Sequence, residues 1–184
     1  IPNMVYLAPS NAEEYIAMLD WALDQDKHPV YIAIPSGPVV HAEGSVRTNF
    51  DNLNTYEVTR KGSKVAVLAL GDFYDLGEKT IEALSSTLGI EATLVKPYFA
   101  SGVDQNLLDN LVKDHDVIVT IEDGIIEGGW GQNIASYLGT SPARVLNYGV
   151  KKAFYDRVNI ADLMRESHLE PELIAADVKQ VLGL

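Results

Sequence analysis

The stretch Val65-Ala66-Val67-Leu68-Ala69-Leu70-Gly71-Asp72-Phe73-Tyr74-Asp75-Leu76-Gly77 decides the fold. Six apolar residues bounded by a glycine turn read as a strand buried on both faces, because a half-exposed strand would alternate apolar and polar. The glycine hands the chain to a helical pattern over 75–88. Outward from this point the alternation repeats. Strands are expected at 64–70, 91–96, 116–122 and 143–148, and helices at 75–88, 105–113, 129–139, 159–167 and 171–182. Residues 56–60 add a short edge strand. Strands alternating with helices imply a parallel sheet covered on both faces, so the fold class is a three-layer α/β/α domain.

Upstream, residues 4–8 read as a strand and Pro9-Ser10 as its stop. Ser10 and Glu13 have the spacing of a capping box. Tyr15, Ile16, Leu19, Ala22 and Leu23 share one face of the helix that follows, and residues 29–34 form a second buried strand. Residues 1–37 are therefore a β-α-β unit whose parallel strands need more sheet than they supply. With Ile1 leading straight into a strand, the unit is expected to be the truncated end of a larger domain. Residues 38–56, rich in Gly, Ser, Asn, Asp and Thr, are expected to be a linker, and 57–184 the main domain. The apolar strands of the unit are expected to seek a second surface, in a symmetric dimer or on the main domain.

The 184 residues carry 26 acidic against 14 basic side chains, a formal net charge of −12. That balance argues against nucleic-acid and anionic-membrane surfaces. No apolar run approaches the roughly 20 residues of a membrane helix. The absence of cysteine removes disulfides, thiolate metal sites and Cys nucleophiles. No signal segment opens the chain, which points to the cytoplasm.

Several motifs have a chemical and a structural reading. Gly71 to Gly77 sits where dinucleotide folds bind phosphate, but Phe73 blocks the second backbone approach, so close packing is expected. Gly128-Gly129-Trp130-Gly131 opens a helix and could form an anion nest. Glu122, Asp123 and Glu127 crowd that turn, and tight helix-on-strand packing is preferred. Asp123 and Asn147 mimic the strand-end spacing of a thiamine diphosphate metal site, yet Glu122 replaces the first glycine and the pair reads as a decoy. His28, His41, His115 and His168 share no ligand spacing. Ser36 and Ser141 lack the G-x-S-x-G elbow.

Longer runs carry a resemblance. Ile1-Pro-Asn-Met-Val5, Ala8-Pro-Ser10, Ile34-Pro-Ser-Gly37, Leu94-Val-Lys-Pro97, Val119-Thr-Ile-Glu-Asp123 and Gly128-Gly-Trp-Gly131 occur in order. Together they resemble the end of the pyrimidine-binding domain and the C-terminal domain of the transketolase superfamily. Within it they are most similar to the 1-deoxy-D-xylulose-5-phosphate synthase family. The resemblance implies a mostly parallel five-stranded sheet with one antiparallel edge, and a homodimeric enzyme using thiamine diphosphate and Mg²⁺. It implies transfer of a two-carbon unit from pyruvate to glyceraldehyde 3-phosphate. Cofactor and metal would be held by N-terminal thiamine-binding domains, so this chain is expected to bind neither and to be inactive alone.

The family carries Arg at the positions of Ala33, Ser36 and Thr93, and two of these, at Ala33 and Thr93, anchor substrate phosphate. Both anchors are replaced here. Ser36, Thr93 and Lys96 are the substrate-binding candidates that remain. Lys151 and Lys152 stand where the family has a Pro-Asp turn, and read as a solvated pair. The alternatives are the beta subunit of a 2-oxoacid dehydrogenase and a non-catalytic assembly module.

Overall fold

The computed structural model describes residues 2–34 and 37–184. Its centre is a five-stranded sheet. β3 (Glu57–Arg60) is the edge, followed in space by β5 (Thr93–Lys96), β4 (Lys64–Ala69), β6 (His115–Ile125) and β7 (Arg144–Val150). β3 pairs antiparallel to β5, and the other neighbours are parallel. The architecture is the three-layer, mostly parallel sheet expected from the alternation.

Side-chain alternation along β4 divides the core. Val65, Val67 and Ala69 pack with Ile81 and Leu84 of α2 (Tyr74–Leu88) and Ile174 and Val178 of α6 (Pro171–Leu182). Ala66 and Leu68 face the other way. They meet Leu108 and Leu111 of α3 (Gln105–Asp114) and Trp130 and Ile134 of α4 (Trp130–Tyr137). Gly77 has the packing role read from the sequence: a Cβ there would stand 2.5 Å from that of Ala69. The short α5 (Ile160–Glu166) has no fully buried residue, touches the first core through half-buried Met164, and follows an exposed loop.

The N-terminal unit comprises β1 (Val5–Leu7), α1 (Ala12–Asp24) and β2 (Val30–Ile32), with β1 and β2 parallel. It sits on the main sheet through the chain just beyond β5. Ala8 N donates to Tyr98 O at 2.8 Å and Ala100 N to Tyr6 O at 2.9 Å. A third core joins Val5, Leu7, Met18 and Trp21 to Phe50, Tyr98 and Phe99.

Two local expectations, both in α1, need correction. The cap of α1 is Asn11, whose side chain accepts from Glu14 N at 2.9 Å. Glu14 in turn accepts from Ser10 N, the residue before the cap, so Glu14 and not Glu13 makes the return bond. The inward face of α1 is Glu14, Ala17, Met18 and Trp21. Ile16 and Leu23 of the expected face are exposed. Both faces of the helix are apolar, so periodicity alone could not choose between them. Residues 38–56 contain no helix or strand, but Phe50 is fully buried there. Arg47 lies 5.0 Å above the Phe50 ring centre and donates to the carbonyls of Asn49, Asn52 and Thr55.

Candidate functional site

Because β4 to β7 run in one direction, their C-terminal ends share an edge where open α/β sheets bind ligands. A cavity of about 1450 Å³ opens there. Its walls come from the start of α1, the strap 37–47, β3, the turn into α2, and the end of β5. Lys96, the last residue of β5, reaches into the contact between the two units. Its Nζ donates to Glu14 Oε1 at 2.6 Å and to Ser10 Oγ at 3.0 Å, and stands 4.0 Å over the Tyr74 ring. Glu14 Oε2 accepts from Ser10 N at 2.8 Å and Ser10 Oγ at 3.0 Å. Glu14 is 2% exposed, so this carboxylate is stable in the interior only because cation, hydroxyl and amide all meet it.

The remaining walls mix acidic and phenolic groups with apolar Val39, Val40, Val58 and Phe73. Tyr98 OH donates to Glu57 Oε2 at 2.5 Å, and burial beside that carboxylate holds the phenol well above its usual range. Burial also raises Asp72, with Asp123 adding repulsion. The strap is pinned to α1 by Glu13, which accepts from Ala42 N at 2.7 Å and lies 2.8 Å from His41 Nδ1. The His41 contact, then the Ala42 amide, lowers the Glu13 carboxyl to about 2.

Among the expected site residues, Lys96 lines this cavity, whereas Ser36 lies outside the described residues. Thr93 sits at the opposite end of β5, buried. Its Oγ1 accepts from Gly62 N at 3.0 Å and lies 2.7 Å from His115 Nε2, whose Nδ1 faces Leu111 O. That hydroxyl is spent inside the sheet, and the structure does not bring it to Lys96. Ala33 packs against the second core. Glu14, Glu57, Tyr74 and Tyr98 were missed by sequence reasoning. Only Glu14 carried a signal, its capping distance from Asn11.

The glycine turn before α4 is filled from within. Glu122 Oε2 accepts from Trp130 N and Oε1 from Gly131 N, both at 2.8 Å, so the chain's own carboxylate occupies the anion nest. Burial raises Glu122, and the two N–H bonds partly oppose that shift. A Cβ on Gly131 would lie 2.4 Å from Thr120 Oγ1. Asn147 Oδ1 accepts the Thr120 hydroxyl at 2.8 Å. These groups do not fit a metal diphosphate: the nest already holds a carboxylate and the Asn147 oxygen is engaged. Among the described residues, no three His, Asp or Glu side chains converge on a metal position. No helix among them is long and apolar enough to cross a membrane.

Residues 54–174 match the family described as transketolase, C-terminal domain. A 1-deoxy-D-xylulose-5-phosphate synthase of Pseudoalteromonas translucida (strain TAC 125) is 36% identical over the whole chain, which spans 29% of that relative's length. A split-gene transketolase, described as an inactive beta4 tetramer, superposes with a TM-score of 0.77 at 24% identity, covering 100% of this chain and 59% of its own. A Pichia stipitis transketolase in complex with sedoheptulose 7-phosphate gives 0.71 at 17%, covering 97% and 25%. The parallel sheet, its antiparallel edge and the sequence match agree: the chain belongs to the transketolase C-terminal domain family.

Proposed function

We propose that this chain is the C-terminal part of a thiamine-diphosphate-dependent two-carbon transferase. The reading includes Mg²⁺, a homodimer, pyruvate as donor and an aldehyde acceptor, with N-terminal thiamine-binding domains supplying cofactor chemistry. The observation that carries it is the similarity to the Pseudoalteromonas synthase over the full chain, N-terminal unit included. That span favours the synthase reading over a 2-oxoacid dehydrogenase beta subunit. The chain's own part is to form the wall of the substrate channel with Lys96, Tyr74 and Tyr98. Its Glu122 fills the glycine-rich nest before α4, which supports inactivity of the chain alone.

The experiment has two arms. Calorimetric titration of the 184-residue chain with thiamine diphosphate and Mg²⁺ should release no binding heat. Mixing the chain with the N-terminal portion of the Pseudoalteromonas synthase should produce thiamine-dependent consumption of pyruvate. Stoichiometric micromolar binding by the chain alone, or a mixture that stays inert after the two parts associate, overturns the reading.

A further inference from the structure

The strap 37–47 forms one wall of the cavity, and its two halves are held in different ways. The second half is fixed. Arg47 donates to Asn49 O at 2.7 Å, Thr55 O at 3.0 Å, Asn52 O at 3.2 Å and Thr55 Oγ1 at 2.9 Å. Phe50 follows, fully buried. Upstream of the strap, Ala33 N donates to Leu7 O at 2.9 Å and anchors the end of β2. Between these anchors, residues 37–45 are exposed apart from half-buried Ala42. Val39 and Val40 line the cavity yet are 73% and 56% exposed, so little of the chain packs against them.

Among the described residues, the hydrogen bonds that hold 37–45 all go to the first two residues of α1. Ala12 N donates to Val40 O at 2.9 Å and Ala42 N to Glu13 Oε2 at 2.7 Å, and His41 Nδ1 lies 2.8 Å from Glu13 Oε1. A segment held by so few contacts belongs to the low end of local stability. Gly37 and Gly44 bound it, and a Cβ at either would meet nothing within 4 Å, so no neighbour wedges the backbone there.

We propose that residues 37–45 are a lid that swings about Gly37 and Gly44, with Glu13 as its latch, and that release uncovers the cavity wall at Tyr74 and Tyr98. The lid goes beyond the functional reading above and stands whether or not thiamine diphosphate is the cofactor. One carboxylate holds two successive lid residues, His41 and Ala42, so both are freed when it lets go. The Glu13 side chain is 42% exposed, so opening hands it to water. Glu14 beside it, at 2%, could not be released without stranding a buried charge.

The Ala12 amide reports the swing, because its acceptor belongs to the lid. In the 184-residue chain the Ala12 and Ala42 amides should exchange with deuterium through one common opening. Glu13→Ala removes neither partner of the Ala12 bond, yet should speed exchange at Ala12 at least tenfold. Tyr15 N, which donates to Asn11 O within the helix, should keep its rate. Gly44 has no positive φ, so Gly44→Ala fits and should make opening about two- to fivefold rarer by stiffening the hinge. A neutral nitroxide in solution should broaden the Tyr74 and Tyr98 ring signals more in Glu13→Ala than in wild type. Unequal opening at Ala12 and Ala42 in wild type overturns the lid, even where a variant fails to fold. So does a folded Glu13→Ala chain in which Ala12 stays protected or the rings gain no broadening, or a Gly44→Ala chain that opens as often as wild type.

Discussion

Two glutamates are buried at the same edge of the sheet, and they are stabilised by opposite means. Glu14 is met by a full positive charge, Lys96, which lies 82 residues away in sequence. Glu122 is met by two backbone N–H dipoles only 8 and 9 residues away. The first carboxylate holds two units of the molecule together; the second closes a local turn. Long-range satisfaction of a charge thus builds the junction, and short-range satisfaction builds the scaffold.

The sharpest way to break this contrast is Lys96→Met. It strands a carboxylate in the interior and should cost about 3–5 kcal/mol. Urea unfolding would read the loss, with amide exchange rising first across β1 and β2. Glu122→Gln keeps one acceptor but turns an NH₂ toward a backbone donor, costing about 1.5–3 kcal/mol. Its pH dependence sharpens the comparison. A folded value raised above the ordinary 4.5 means Glu122 contributes stability that is full below 4.5 and lost as pH rises through the raised value. Unfolding midpoints across that window should slope in wild type and lose that component in the variant.

Gly131→Ala tests the turn by volume. The new methyl meets Thr120 Oγ1 and should cost about 1–3 kcal/mol, with the strain confined to α4 and β7 in amide shifts. The smallest effect is at exposed Glu13. Its value is lowered from 4.5 to about 2, so its hold on the strap is present above 4.5 and lost as pH falls through about 2. The Ala42 amide resonance should titrate with that midpoint, and Glu13→Gln should abolish the titration.

Elements specified by neighbours in sequence were legible. The apolar run at 65–70 read as a buried strand, and the acids beside Gly128 to Gly131 argued against a free anion nest. Both judgements rest on contacts a few residues apart. What stayed hidden depends on partners far along the chain. The burial of Glu14 looks forbidden until Lys96 arrives, so its helix face could not be chosen. Phe50 sits in a stretch of polar composition, and the distant rings of Trp21, Tyr98 and Phe99 explain why that stretch is packed. Thr93 was a candidate through the family resemblance, and nothing local reveals that His115 and Gly62 hold its hydroxyl.

The third core has a consequence for the order in which the molecule can be made. Leu7, Met18 and Trp21 leave the ribosome about 80 residues before Tyr98 and Phe99, the surface they close against. At ordinary elongation rates that interval is on the order of 4–16 seconds. During it the apolar side chains of β1 and α1 lack the surface that Tyr98 and Phe99 give them. Within this chain, the β1–α1 segment is thus the one that waits for its packing surface, and that is where a holding chaperone would act.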